Sequence, residues 1–203
     1  MTREIIENHK KYLERRSLYR SLGYDMDKER DFILEQAQPV PGVILDAGTG
    51  KGHFALALAK AGYKFVTFDI SPEEQRFAKL NLAYFGLEKS ADFRIENGEH
   101  TSFKSGSFDN VFAVNVLHHL KKPYKFIDEL IRVISPEGKI ILSDFTRKGF
   151  EVLDKIHKME GNKHEVGEIG LGSIEEYLAK KGFLVKKTQT EYQIVLVAVA
   201  KKG

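Results

Sequence analysis

Cysteine is absent from this chain. That excludes disulfides and a thiolate nucleophile, and redox chemistry does not fix the compartment. No apolar run approaches the length of a membrane span. The opening residues, Met1 to Glu4, are polar and charged with no apolar segment behind them, so no signal peptide is expected and the cytoplasm is the default. Basic runs never exceed two residues, as at Lys121 and Lys122, and the net charge is only +3. Both facts argue against a nucleic-acid partner. Internal repeats and low-complexity segments are missing as well.

What is present is a chain of 203 residues, 42% apolar and 30% charged, long enough for one sizeable core and short of two. The expected organisation is one unit over residues 1–203, with a helical N-terminal cap over 1–40 and an alternating core over 41–203. In the cap, residues 2–20 read as an exposed amphipathic helix of irregular phase, and Asp25 caps a second helix that runs to about residue 38. Pro39 and Pro41 separate the cap from the core.

The core opens on the most informative stretch. Residues 43–45 form a short apolar run beside turn residues, which predicts a buried strand. Gly48, Gly50 and Gly52 then alternate with other residues, and an alanine-rich helical pattern follows over 54–60. Strand, glycine turn and helix in that order let a ligand approach the backbone closely, with the free N–H groups of the helix pointing at it. A second apolar strand over 64–68 ends at Asp69, 19 residues after Gly50. That is the offset of an acid that binds ribose hydroxyls. It supports a nucleoside site without choosing between a dinucleotide and another nucleoside cofactor.

Further strands are expected over 91–96, 108–114 and 139–144, with helices over 72–85, 123–133 and 150–158. Ser71 with Pro72 and Glu74 reads as a capping box, and Ser173 with Glu176 as another. Residues 135–138 read as a turn, and 162–171 as a loop. A closing pair of antiparallel strands over 183–187 and 192–200 completes five βα units with a terminal hairpin. The fold class is therefore α/β, a seven-stranded, mostly parallel, Rossmann-like sheet with helices on both faces.

With Asp46 added, the loop reads D-x-G-x-G-x-G, which resembles motif I of the class I S-adenosylmethionine (SAM)-dependent methyltransferases. The resemblance extends through residues 93–99, through 108–120 (similar to FDxVxxxxxLHH) and through 130–139, where Glu137 replaces a glycine of the usual LxRVLKPGG turn. It looks most like the small-molecule branch that includes the ubiquinone and menaquinone C-methyltransferases. It implies SAM as cofactor and S-adenosylhomocysteine as product. It also implies that Asp46, Gly48, Thr49, Gly50 and Gly52 hold the amino-acid end, that Asp69 binds the ribose, that Ile70 packs on adenine, and that Asn97 with Gly98 lies beside the adenine amino group. Asn97 departs from a common aspartate there. Asn115 and Val116 would close the site near the sulfonium.

A base is needed only if the acceptor must lose a proton. His118, His119, Asp144 and His164 are the residues that could serve, and His119, Asp144 and His164 are the catalytic candidates. His157, His164, Glu165 and Glu168 match no standard ligand spacing, so no metal site is expected. A cytosine C5 mechanism lacks its cysteine, and Asn115 to His118 does not match the [DNS]-P-P-[FY] motif of amino-methylating DNA enzymes. The expected partner is a small-molecule acceptor, with the oligomeric state undetermined. The alternatives are a protein or RNA methyltransferase, a non-catalytic SAM-binding regulator, or an NAD-dependent oxidoreductase, against which the glycine spacing argues.

Overall fold

The computed structural model describes residues 1–161, 167 and 169–201. Two helices come first, α1 (Arg3–Ser21) and α2 (Met26–Gln36). Thr2 caps the first, and the Asp25 carboxylate caps the second by accepting from the N–H groups of Asp27 and Lys28. The core then alternates: β1 (Ile44–Ala47), α3 (His53–Lys60), β2 (Phe65–Asp69), α4 (Pro72–Tyr84), β3 (Ala91–Ile95), β4 (Phe108–Val114), α5 (Pro123–Val133) and β5 (Ile134–Phe145). After them come α6 (Arg147–Met159), α7 (Leu171–Lys180), β6 (Phe183–Gln189) and β7 (Gln193–Ala200).

All seven strands form one sheet in the order β3-β2-β1-β4-β5-β7-β6. Strand β7 runs antiparallel to both of its neighbours, and the remaining strands run parallel to one another. From β1 the chain steps outward to β2 and β3, then returns to place β4 on the other side of β1. That reversal is a topological switch point, where open α/β sheets leave a crevice beyond the carboxyl ends of the strands.

The central strands are apolar on both faces because both faces are covered. Leu45, Val111, Ala113, Ile140 and Leu142 pack with Phe126, Ile127 and Leu130 of α5 and with Ile174 and Leu178 of α7. The intervening residues Ile44, Phe112 and Ile141 point the other way, against Ile33 of α2, Phe54 and Leu58 of α3, and Leu82 of α4. Each large apolar side chain buried this way contributes about 1.5–3 kcal/mol. A third cluster joins Tyr19, Tyr24 and Met26 to Phe145, Tyr192 and the inner face of α6. The first helix is thus less exposed than its charges predict, with His9, Tyr12 and Tyr19 buried.

Four sequence expectations are corrected. Residues 96–107 link β3 to β4 without a helix and hold only an Asn97–His100 bridge. They lack a helical apolar stripe, and a side chain at Gly98 would lie 2.7 Å from the Phe126 ring. Residues 135–138 are an excursion inside β5 and not a turn before it, since pairing jumps from Phe108–Ile134 to Asn110–Lys139. Ser173 does not cap α7: the helix begins at Leu171 after Gly170, with Leu171 and Ile174 drawn into the core. The sixth helix starts at Arg147, capped by Thr146, earlier than its apolar pattern suggests. The Ser71 cap forms as expected, with Ser71 Oγ accepting from the Glu74 N–H at 3.2 Å.

Candidate functional site

A cavity of about 820 Å³ lies beyond the carboxyl ends of β1, β2 and β4. The loop after β1 forms its floor. Gly48 has φ +88°, and a Cβ there would lie 2.5 Å from Val116 Cγ2, so the loop and the end of β4 are pressed together. Gly50 has φ +48° and nothing within 4 Å of where its Cβ would be, so its backbone lies open to the cavity. Gly52 is outside the lining; the bare backbone there lets α3 approach Ala78 of α4.

Asp69 ends β2 on the same floor. Its Oδ2 accepts from the Gly50 N–H at 2.8 Å, and its Oδ1 accepts from the Ser71 N–H at 2.9 Å. Each carboxylate oxygen retains acceptor capacity beyond one bond. Ile70 stands beside it, 67% exposed. Asp46 does not reach the cavity. It is buried under the loop, where it accepts from Thr67 Oγ1 at 2.8 Å, and Thr67 in turn bonds Thr49 at 2.6 Å. Burial pushes its carboxyl up to about 7, against the pull of the Thr67 hydrogen bond. The expectation that Asp46 faces a ligand is therefore corrected: it braces the loop from below.

Asn97 and Gly98 line the wall beyond β2, with Phe126 packed behind Gly98. Asn97 Oδ1 accepts from the Glu99 N–H at 2.9 Å, which fixes its side chain in a local turn. On the β4 side, Asn115 adopts φ +57°, the one positive φ outside glycine among the described residues. Its N–H donates to the Ser143 carbonyl at 2.8 Å, and its Oδ1 accepts from Gln193 Nε2 at 2.9 Å. Gln193 Nε2 also donates to the Tyr24 hydroxyl at 2.9 Å, and Gln193 Oε1 accepts from Ser143 Oγ at 3.0 Å. A strained residue is thus held by a buried network that ties β4, β5 and β7 to the N-terminal helices. Burial pushes the Tyr24 hydroxyl up to about 12. Sequence reasoning missed Gln193; the signal was a lone amide opening the apolar run of β7.

Beyond Val116, a turn of 3₁₀ helix presents His118 and His119. Asp144 Oδ1 lies 2.7 Å from His118 Nδ1, and Asp144 Oδ2 accepts from the His118 N–H at 3.1 Å. The pair is buried, with Phe145 and Phe150 around the imidazole. His118 lines the cavity, and Asp144 stands behind it. A carboxylate at Nδ1 favours the tautomer that donates there and places the ring's lone pair on Nε2. His119 also lines the cavity, but on an exposed position with its ring 3.9 Å from that of His118. His164 lies outside the described residues. Among the described residues no three His, Asp or Glu side chains cluster as a metal site.

Helix α1 roofs the cavity. It is fastened to α4 by Asn8 to Asn81 at 2.8 Å and by His9 stacked 3.4 Å from the Tyr84 ring, and to the end of α6 by Arg15 to Glu160 at 2.5 Å. The roof contributes Arg15, Tyr19, Tyr24, Met26 and Arg30 to the lining. No helix among the described residues is long and apolar enough to cross a membrane.

Residues 45–142 match the methyltransferase domain family. Among curated relatives, an uncharacterised methyltransferase of Mycobacterium leprae is 32% identical over 107 residues, covering 53% of this chain and 38% of that protein. A ubiquinone biosynthesis O-methyltransferase of Xanthomonas oryzae is 30% identical over 120 residues, covering 58% of this chain and 48% of that one. This chain therefore spans less than half the length of either relative. Among solved structures, the PH0226 protein of Pyrococcus horikoshii superposes with a TM-score of 0.69 at 22% identity, over 84% of this chain and 87% of that one. The matched segment, just under half of the chain, takes in the glycine loop, Asp69, Asn97 and the β4 turn, so the similarity to the methyltransferase domain family falls on the residues that form and flank the cavity.

Proposed function

We propose that the cleft binds SAM and that the protein transfers its methyl group to a small-molecule acceptor. One observation supports this most: the exposed Gly50 backbone and the Asp69 carboxylate are joined at 2.8 Å on the floor of an 820 Å³ cavity at the switch point. The chemistry of the lining fits the cofactor. An acid with remaining acceptor capacity suits ribose hydroxyls, Ile70 offers an apolar face to adenine, and Asn97 with Gly98 closes that end. The glycine loop and Asn115 with Val116 would hold the methionyl end.

When bound, the cofactor supplies an activated methyl group on a sulfonium, displaced with a neutral leaving group. The protein's part is positioning and a dry pocket. The helices α1 and α2 cover part of the cavity, and Tyr19, Tyr24 and Phe145 supply walls for an acceptor. In this reading residues 1–40 are part of the same unit as the core. Where the acceptor loses a proton, His118 Nε2 takes it, and Asp144 stabilises the resulting imidazolium through Nδ1. This reading shifts the base from His119 to His118, because His118 alone of the two bonds the carboxylate in the described residues. The cytoplasm remains the proposed location. A screen of metabolite pools for compounds that gain a methyl group in the presence of the protein and SAM tests the assignment. Binding of SAM without any methylated product would favour a regulatory SAM-binding role.

A further inference from the structure

The roof of the cavity holds a buried cation that the cofactor reading does not use. Arg30 is 8% exposed and lines the cavity from α2. Its Nη1 donates to the Met26 carbonyl at 2.7 Å. Among the described residues no carboxylate pairs with it, whereas its neighbours on the roof are matched: Arg15 with Glu160, Arg16 with Asp27 and Arg20 with Asp25. A desolvated guanidinium without a counter-charge is costly, and natural sites supply one. A second orphan stands close by. His53 Nδ1, at the start of α3, is shielded from solvent and has no hydrogen-bond partner among the described residues. Burial holds the His53 imidazole well below its usual range, and the charges of Arg30, Arg15, Lys51 and Arg16 press it further down. A buried cation without a carboxylate and a buried imidazole without a hydrogen-bond partner among the described residues thus line the same cavity.

Its position separates it from the nucleoside end. Arg30 hangs from Met26, which packs with Tyr24, Phe145, Leu153 and Tyr192 on the β5 and β7 side. Asp69, Ile70 and Asn97 belong to the β2 and β3 side.

We propose that Arg30 seats an anionic group of the methyl acceptor, a carboxylate or phosphate on an otherwise apolar small molecule. This rests on the methyltransferase reading above. The planar guanidinium fork suits either anion bidentately, His53 lies near to complete the seat, and Tyr19, Tyr24 and Phe145 cover the apolar body. The competing source of a carboxylate is the methionyl end of the cofactor itself, and the test separates the two.

Wild-type protein saturated with S-adenosylhomocysteine is titrated with benzoate, phenyl phosphate and neutral benzamide. The same titrations are run on Arg30→Gln and on Arg30→Lys, which keeps the charge but not the fork. Affinities for S-adenosylhomocysteine and for 5′-methylthioadenosine, which lacks the amino-acid end, are measured for each. The expected result is that at least one anionic probe binds the wild type about tenfold or more tighter than benzamide, the scale of a charge-assisted contact. Arg30→Gln should erase that preference, Arg30→Lys should keep part of it, and S-adenosylhomocysteine affinity should stay within about threefold of wild type, below that scale. Two results would overturn the proposal. One is an absence of anion preference in the wild type, which needs no variant to read. The other is a tenfold or greater loss of S-adenosylhomocysteine affinity with 5′-methylthioadenosine unchanged, which would give Arg30 to the cofactor. If wild type fails to bind S-adenosylhomocysteine, the cofactor reading fails, and the same probes titrated into the free protein still report on the anion seat.

Discussion

The N–H of Gly50 donates to the Asp69 carboxylate at 2.8 Å, joining the loop after β1 to the end of β2. The acid that is proposed to face the ribose also fixes the shape of the loop proposed to hold the methionyl end. Asp69→Ala should therefore weaken S-adenosylhomocysteine binding by about 1.5–3 kcal/mol, the range for hydrogen bonds to a charged group. Calorimetric titration of the variant measures this. An unchanged affinity would remove Asp69 from the site.

The buried network around Gln193 predicts a stability effect. Replacing Gln193 with Leu leaves the Tyr24 hydroxyl and Asn115 Oδ1 without their shared donor and Ser143 Oγ without one of its acceptors. The loss should be about 1–3 kcal/mol, read by denaturant unfolding. A variant as stable as wild type would show that water replaces the amide at no cost.

Asp46 predicts a pH dependence of unusual sign. Its carboxyl is raised from about 3.8 to about 7 by burial, so between those values the unfolded chain releases a proton that the folded protein keeps. Its contribution to stability then falls as pH rises from about 4 to about 7, by up to about 1.4 kcal/mol per unit, and is flat above. Asp46→Asn keeps an acceptor for Thr67 and should flatten that part of the profile in cofactor-free protein. Identical pH profiles for variant and wild type would place the titration elsewhere.

The His118–Asp144 pair gives a kinetic test once an acceptor is known. For an acceptor that must be deprotonated, Asp144→Asn removes the negative charge that stabilises the His118 imidazolium and should lower kcat by about 10²-fold or more, on the scale of general base catalysis, with S-adenosylhomocysteine affinity nearly unchanged. His119→Ala should have a much smaller effect. The reverse ranking would restore His119 as the base.

Much of the site was legible because it is local in sequence. The glycine loop, Asp69 and Asn97 each lie at or just past the end of a strand, and strand periodicity places them at the same edge. Asn115 and the histidines were readable from the β4 motif. What depends on folding was not. Asp144 pairs with His118 across 26 residues, so sequence shows two candidate groups but not that one orients the other. Gln193, Tyr24 and Asn115 meet only because β7 inserts beside β5 and the N-terminal helices close over both. Asp46 carries the family spacing, yet its side chain turns down into the sheet, which spacing does not show. Residues 96–107 were counted into a βα unit because five strands in series suggested it, although they lack the stripe a crossover helix would bury.

The central claim is that this cleft is a SAM site, and calorimetric titration of the purified protein with S-adenosylhomocysteine and, separately, NAD tests it most directly. The account predicts measurable binding of S-adenosylhomocysteine, weakened in Asp69→Ala, and no comparable binding of NAD. Tight binding of NAD with none of S-adenosylhomocysteine would contradict it.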